Sequence, residues 1–277
     1  NGRMDLKDGL VIYVLICPEL YEREGTPYGA NNGRDWPDNH IRFARLGLAA
    51  ADMAANLAQI HWQPDLVHAH DWPAGLAPAY MHWRGQRTPT LFTIHNLAYQ
   101  GVFSRACCPE LGIPHHALQQ DGMEFYGKLS FLKAGMAYSS HITTVSATYA
   151  TEITTPAFGC GLDGFLASKT QQGLLSGIPN GIDESWEATT DPHLVAPFAI
   201  GDWDARAINT AHVRNLFGLK PSKGPLFAVV SRLVYQKGLD LTEAVAAYIV
   251  ASGGQICIIG RGEPEAEQAM RDLALRF

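Results

Sequence analysis

The residues best suited to chemistry in this chain stand where apolar runs stop. "PLFAVVSRLVYQKGLD" (225–240) sets Arg232 just past an apolar run and Lys237-Gly238 at the start of the helical pattern that follows. The first N–H groups of a helix and its positive dipole end favour an anion. Arginine adds a planar fork for phosphate oxygens and lysine a mobile point charge, so the pair suits a departing diphosphate. Two solvated loop cations have the same spacing, and spacing alone leaves both readings open. "HAHDW" (68–72) puts His68 and His70 on one face of a strand and Asp71 at the turn into a helix. Alternating imidazoles are metal ligands in some hydrolases. No Asp-His pair or cysteine cluster follows to complete a coordination sphere, so a packed or hydrogen-bonded His68 is expected instead of a metal site. Asp71 can accept hydroxyl hydrogens from a polyol or support the helix N-terminus. "FTIHNLAYQG" (92–101) ends its run on His95 and Asn96, with Tyr99 and Gly101 close behind. A histidine followed by an amide suits the hydroxyls of a hexose, and a lone histidine also serves structure. "GRGEPE" (260–265) offers Gly-x-Gly without the third glycine of a dinucleotide fingerprint.

These residues need strands and helices to aim them. Short β-rich runs alternate with helical patterns, which predicts a parallel sheet wrapped by helices. Strands are expected over 9–17, 64–71, 88–96, 141–146, 176–183, 224–233 and 254–260. The run over 9–17 is entered through a Lys7-Asp8-Gly9 turn, and the one over 176–183 ends in an Asn180-Gly181 turn. Helices are expected over 39–59, capped by Asp38, then after Pro73, over 127–140, over 147–154, near 204–217, over 238–252 and at the end of the chain. Residues 97–125 read as a long irregular excursion, functional or mobile, and "FGCGLDG" (158–164) as a glycine-rich loop. In such doubly wound sheets ligands sit beyond the carboxyl ends of the strands. His68, His70, Asp71, His95, Asn96, Asn180, Arg232 and Gly260 all fall there. The alternation starts afresh after about residue 180, which predicts two domains, 1–179 and 180–277.

Composition narrows the class. With 277 residues, 47% hydrophobic and 17% charged, the chain can form one large or two medium domains. A net charge of −6 with mixed signs points to neither nucleic acid nor a membrane surface as partner. Five cysteines without a Cys-x-x-Cys pair indicate neither a disulfide framework nor a zinc ribbon, and fit a reducing, cytoplasmic setting. No apolar stretch has the roughly 18 residues of a membrane span. Both ends look cut: the first residues lack a signal peptide and an initiator methionine, and the last stop inside a helical pattern.

Taken together, "PDLVHAHDWPAGLAPAY", "FTIHNLAYQGVF", "KLSFLKAGMAYSSHITTVSATYA", "LSGIPNGID" and "FAVVSRLVYQKGLDL" resemble the ADP-glucose-dependent glycogen and starch synthases. These are glycosyltransferases of the GT-B type. The resemblance implies an α/β fold of two doubly wound Rossmann-like domains facing a cleft, the first lacking its N-terminal part and the second truncated. It implies retaining transfer of glucose from ADP-glucose to the non-reducing end of an α-1,4-glucan, with no cofactor beyond the donor substrate and no metal. Arg232 and Lys237 match the pair that grips the donor diphosphate. His95 matches the histidine beside the transferred glucose, with Asn96 next to it in the same string, and Asp71 matches an aspartate lining the cleft. Tyr28, in "EREGTPYG", matches a tyrosine of a cleft-side loop. Asn180-Gly181 match an Asn-Gly at the domain junction, near donor or acceptor sugar. Glu124, in "GMEFYG", matches a family string without an assigned role. The family's Lys-Thr-Gly-Gly-Leu and Glu-Pro-Cys-Gly-Leu strings are absent, so this piece is expected to be inactive alone, and "ESWEATTD" (184–191) lacks a proline usual there. A metal-dependent hydrolase using His68 and His70, or a non-catalytic glucan-binding protein, are the alternatives.

Overall fold

The first apolar run, expected as a parallel strand over 9–17, forms one arm of a hairpin. In this computed structural model, which describes residues 2–7, 9–31, 33–57 and 62–277, β1 (Gly2–Asp5) pairs antiparallel with β2 (Val11–Val14) in a sheet of its own. The Leu6 N–H donates to the Leu10 carbonyl at 2.8 Å and Gly9 takes a φ of +85°, closing the turn. Asp8 of the expected Lys7-Asp8-Gly9 turn lies outside the described residues. An apolar run does not specify its pairing partner, and here Met4, Ile12 and Val14 share an exposed face.

The chain divides into two compact units, Asn1–Gly181 and Ile182–Phe277. In the first, α1 (Pro18–Tyr21) precedes α2 (Asn39–Ala54). The helix expected over 39–59 ends at Ala54, and Ala58 and Gln59 lie outside the described residues. Asp38 stands at the N-cap position of α2 but makes no side-chain cap bond. Its two oxygens accept instead from Arg23 Nη1 and Nη2 at 2.7 and 2.6 Å, and that guanidinium holds the carboxyl below the usual aspartate range. A two-pronged ionic bond outcompetes a single backbone N–H.

From β3 (Val67–His70) the chain runs through α3 (Asp71–Ala74) and α4 (Leu76–Trp83) to β4 (Thr90–Ile94). The excursion over 97–125 is better built than expected. It carries two 3₁₀ turns and the strands β5 (Val102–Phe103) and β6 (Glu124–Phe125), which join β7 (Lys128–Ser130) in a small antiparallel sheet. Leu97, Leu111, Ile113, Ala117 and Met123 are buried and tie the segment to the core. β7 also replaces the first turn of the helix expected over 127–140. That helix begins as α5 (Phe131–Tyr138), because Ser130 Oγ accepts the Lys133 N–H at 3.1 Å and caps it.

β8 (His141–Thr144), α6 (Ala147–Glu152), α7 (Asp163–Gln171) and β9 (Leu175–Gly177) complete this unit, α7 starting inside the expected glycine-rich loop. β3, β4, β8 and β9 stand side by side in that order, all parallel, as helical crossovers require. Phe92, Ile94, Leu132, Met136, Ile142 and Ile153 are fully buried around the sheet. Each such side chain contributes about 1.5–3 kcal/mol. After β9 the Asn180-Gly181 turn does not form, and Gly181 is not among the glycines at positive φ. Asn-Gly makes a tight turn where a strand folds back on itself, whereas here the chain leaves the sheet.

The second unit alternates as expected through α8 (Trp203–Leu216), β10 (Leu226–Val230), α9 (Leu239–Ala251), β11 (Gln255–Ile259) and α10 (Pro264–Arg276), with β10 and β11 parallel. Leu233, Leu239, Ala246, Met270 and Leu273 form its core. Among the described residues no helix is long and apolar enough to cross a membrane.

Gly75, between α3 and α4, lets the turn after β3 lie directly on α5, since a Cβ there would run into the Phe131 carbonyl oxygen. Gly75→Ala is expected to destabilise the protein by about 1–3 kcal/mol through overpacking. A lowered urea midpoint at unchanged m value would register it.

Candidate active site

His68 and His70 project from the same face of β3, their ring centroids 4.1 Å apart. His68 Nε2 lies 2.6 Å from Thr93 Oγ1 on β4, which lies 2.6 Å from Thr143 Oγ1 on β8. His68 thus takes the hydrogen-bonded role expected at a strand end. Both imidazoles are exposed at the sheet edge, yet partial burial pushes each below the usual histidine range. His95 adds to the effect on His68, and His68 and His95 add to it on His70. Among the described residues no group of three or more His, Cys, Asp or Glu side chains is placed to hold a metal ion.

His70 turns to the neighbouring strand end. Its Nδ1 lies 3.0 Å from His95 Nε2. Asp71, at the first position of α3, has a φ of +52°, the left-handed region that non-glycine residues seldom occupy. Its Oδ1 accepts the His95 N–H at 2.8 Å. This oxygen therefore bridges two strand ends instead of supporting its own helix. Backbone strain of this kind persists where surrounding contacts over-determine it, and functional sites are where it collects.

The loop after β4 is shaped by its own residues. Asn96 Oδ1 accepts the Ala98 N–H at 3.1 Å, and the Leu97 N–H donates to the Tyr149 hydroxyl at 3.1 Å. Gly101 has a φ of +57°, and a Cβ there would overlap the Trp72 ring. Trp72 meets Phe43 edge-on at 4.4 Å and Tyr28 at 5.8 Å between centroids. Tyr28 is 47% exposed.

Sequence reading missed what holds Tyr28. Arg42, buried on α2, donates to the Pro27 and Leu20 carbonyls at 2.8 Å each and to Asn39 Oδ1 at 2.6 Å. Asn39 Nδ2 donates in turn to the Tyr28 carbonyl at 2.8 Å. Burial lowers the Arg42 pKa, and the carbonyls satisfy the cation. The available signal was an arginine inside the apolar pattern of residues 41–51. Glu124 acts locally, where its Oε1 accepts the Gly127 N–H at 2.7 Å and closes the turn between β6 and β7.

The remaining candidates lie elsewhere. Asn180 and Gly181 are exposed after β9 at the end of the first unit. In the second unit Arg232 stands two residues past β10 and Lys237 ends the 3₁₀ turn Tyr235–Lys237, both exposed. Gly238, at a φ of +69°, begins α9, which has no side-chain cap. The structure thus groups Tyr28, Asp71, His95 and Asn96 in the first unit and Arg232 with Lys237 in the second.

Comparison with known proteins fixes the lineage. The profile of the starch synthase catalytic domain matches residues 2–168. The chain belongs to the starch synthase catalytic domain family. Among curated proteins, a glycogen synthase of Pseudomonas fluorescens is 88% identical over 276 residues, covering 100% of this chain and 57% of that protein. A glycogen synthase of Pseudomonas aeruginosa is 58% identical over 275 residues, covering 99% and 54%. The chain spans about half the length of the curated relatives it matches. Among solved structures, the catalytic domain of starch synthase IV from Arabidopsis thaliana, bound to ADP and acarbose, matches with a TM-score of 0.79 and 29% identity. That match covers 88% of this chain and 51% of that one. The resemblance to the starch synthase family and the GT-B fold class are both borne out.

For a starch synthase family member the Asp71 turn is an informative place to cut. Asp71→Ala loses the bond to the His95 N–H and puts alanine in a left-handed backbone, an expected loss of about 1–3 kcal/mol. Asp71→Asn keeps an oxygen acceptor and tolerates that backbone, so it is expected to lose less than about 1 kcal/mol. Paired urea titrations of the two variants check the difference.

Proposed function

We propose that this chain forms part of a retaining glucosyltransferase that moves glucose from ADP-glucose to the non-reducing-end 4-hydroxyl of an α-1,4-glucan such as glycogen. The observation that carries the reading is the likeness, over 88% of the chain, to a starch synthase catalytic domain bound to ADP and acarbose. Arg232 and Lys237 grip the donor diphosphate and stabilise the ADP that leaves. His95, with Asn96 beside it, meets hydroxyls of the transferred glucose. Asp71 lines the site and holds the His95 backbone, Tyr28 flanks it, and Asn180-Gly181 stand near donor or acceptor sugar. The glucan and the sugar nucleotide are the partners. The reading calls for a cytoplasmic setting, no nucleic acid, no membrane and no protein-bound metal.

In this mechanism the bond from the anomeric carbon to the diphosphate oxygen breaks while the two cations hold the growing negative charge. An oxocarbenium-like sugar forms, the acceptor 4-oxygen bonds to the anomeric carbon on the face the diphosphate leaves, and the departing phosphate oxygen takes the acceptor proton. Configuration is retained without a covalent enzyme intermediate of the kind used by retaining glycosidases. Electrostatic stabilisation dominates.

In the complete enzyme, Arg232→Ala and Lys237→Ala are each expected to lower kcat by a factor on the order of a hundred or more. Transfer of labelled glucose from ADP-glucose or UDP-glucose to glycogen measures it, and wild-type turnover in either variant removes that residue from the mechanism. Glucan binding without sugar-nucleotide consumption by the wild type would make the protein a binding module.

A further inference from the structure

We propose that His70 is a positioning residue for the transfer: its hydrogen bond to His95 fixes the orientation of that ring, ties its tautomer to that of His70, and leaves His95 Nδ1 as the nitrogen offered to a sugar hydroxyl. The inference rests on the reading above, in which His95 meets the transferred glucose.

An exposed imidazole just past a strand end is free to rotate about two side-chain bonds and to exist in two tautomers, and a site that reads sugar hydroxyls needs the ring held in one orientation with its proton placement coupled to a partner. Here the His95 backbone is pinned by Asp71 Oδ1 on its N–H at 2.8 Å, and the ring is pinned separately by the 3.0 Å contact of its Nε2 with His70 Nδ1. His70 is itself held. Its ring lies against His68 at 4.1 Å, His68 Nε2 meets Thr93 Oγ1 at 2.6 Å, and Thr93 meets Thr143 at 2.6 Å. A continuous series of side chains thus runs from the interior strand β8, through β4 and β3, to the ring at the rim.

A nitrogen-to-nitrogen hydrogen bond needs one donor and one acceptor. With the proton on His70 Nδ1, His95 accepts at Nε2 and carries its own proton on Nδ1. With His95 Nε2 donating to an unprotonated His70 Nδ1, His95 Nδ1 is a lone pair able to accept a hydroxyl hydrogen. Either state gives Nδ1 one defined character, and the state with both facing nitrogens protonated is excluded. The titratable groups that act on His70 are His68 and His95, which disfavour its charged form along with burial, and Asp71, which favours it. Their net effect, with burial the largest cause, disfavours the charged form of His70.

Two variants test the role. His70→Ala removes the partner nitrogen, whereas His70→Asn keeps an amide group close to where Nδ1 stood. In the complete enzyme with ¹⁵N-labelled histidine, the His95 ring signals, assigned through His95→Gln, are expected to report a similar tautomer balance in the wild type and His70→Asn and a shifted balance in His70→Ala. The kcat for glucose transfer is expected to fall about tenfold or more in His70→Ala and to recover to within about threefold of wild type in His70→Asn, with KM for glucan moving less than about threefold. Unchanged His95 ring signals in folded His70→Ala, unchanged kcat, or no rescue by asparagine would overturn the proposal. Absence of any glucose transfer by the wild type would instead overturn the functional reading, and the ring signals would still report whether His70 controls the tautomer.

Discussion

The parallel register of β3 on β4 decides which side chains can meet at the rim of the first unit. His70 pairs with Thr93, so β3 ends one pair short of Ile94 and His95 follows at the same edge. A shift of one residue would turn His68 and His70 to the opposite face and send Ala69 toward solvent. The register is held from both sides of the sheet. Buried Ala69, Phe92, Ile94 and Ile142 fill one face, while His68, Thr93 and Thr143 hydrogen-bond along the other. The apolar face selects the register, and the polar series adds a requirement that only this register meets.

Cations in this chain divide by their surroundings. Arg42 and Lys133 are buried, and each is satisfied by oxygens. Arg42 reaches two carbonyls and Asn39, and Lys133 Nζ donates to the Gln120 and Glu124 carbonyls at 2.7 Å each. Burial lowers the pKa of both, so they hold loops in place at an electrostatic cost that the carbonyl dipoles offset. Arg232 and Lys237 are exposed, Arg232 two residues past β10 and Lys237 directly before Gly238 at the N-terminus of α9. A cation ringed by carbonyls has little left to give a further acceptor.

Much of the architecture was legible because it is local. The alternation of β-branched runs with helical patterns identified the parallel strands of both units, and period two placed His68 and His70 on one face. The errors concern choices made at a distance. Whether residues 11–14 pair parallel or antiparallel depends on a neighbour, not on the run itself. Asp38 has the right type and place for a cap, yet Arg23, fifteen residues earlier, takes both its oxygens. Asn180-Gly181 has the chemistry of a turn without a second strand to return along. For the site, residue types at strand ends showed where to look, but the contacts that hold Tyr28 and His95 run between elements and leave little mark on local sequence.

The turn at Asp71 shows how the fold and the site share one constraint. A left-handed aspartate is unfavourable by itself, and three neighbours make it the best local solution. Gly75 lets the turn sit against the α5 backbone, Trp72 is clasped by Phe43, Tyr28 and Gly101, and the Asp71 carboxylate meets the His95 N–H. Relaxing the backbone at 71 would lift Trp72 from its aromatic neighbours and withdraw the oxygen from β4's end together. The strain is therefore distributed over packing that α2, α5 and the loop after β4 all supply. A side chain so placed couples the position of His95 to the integrity of the core, which is how a rim residue gains rigidity without being buried.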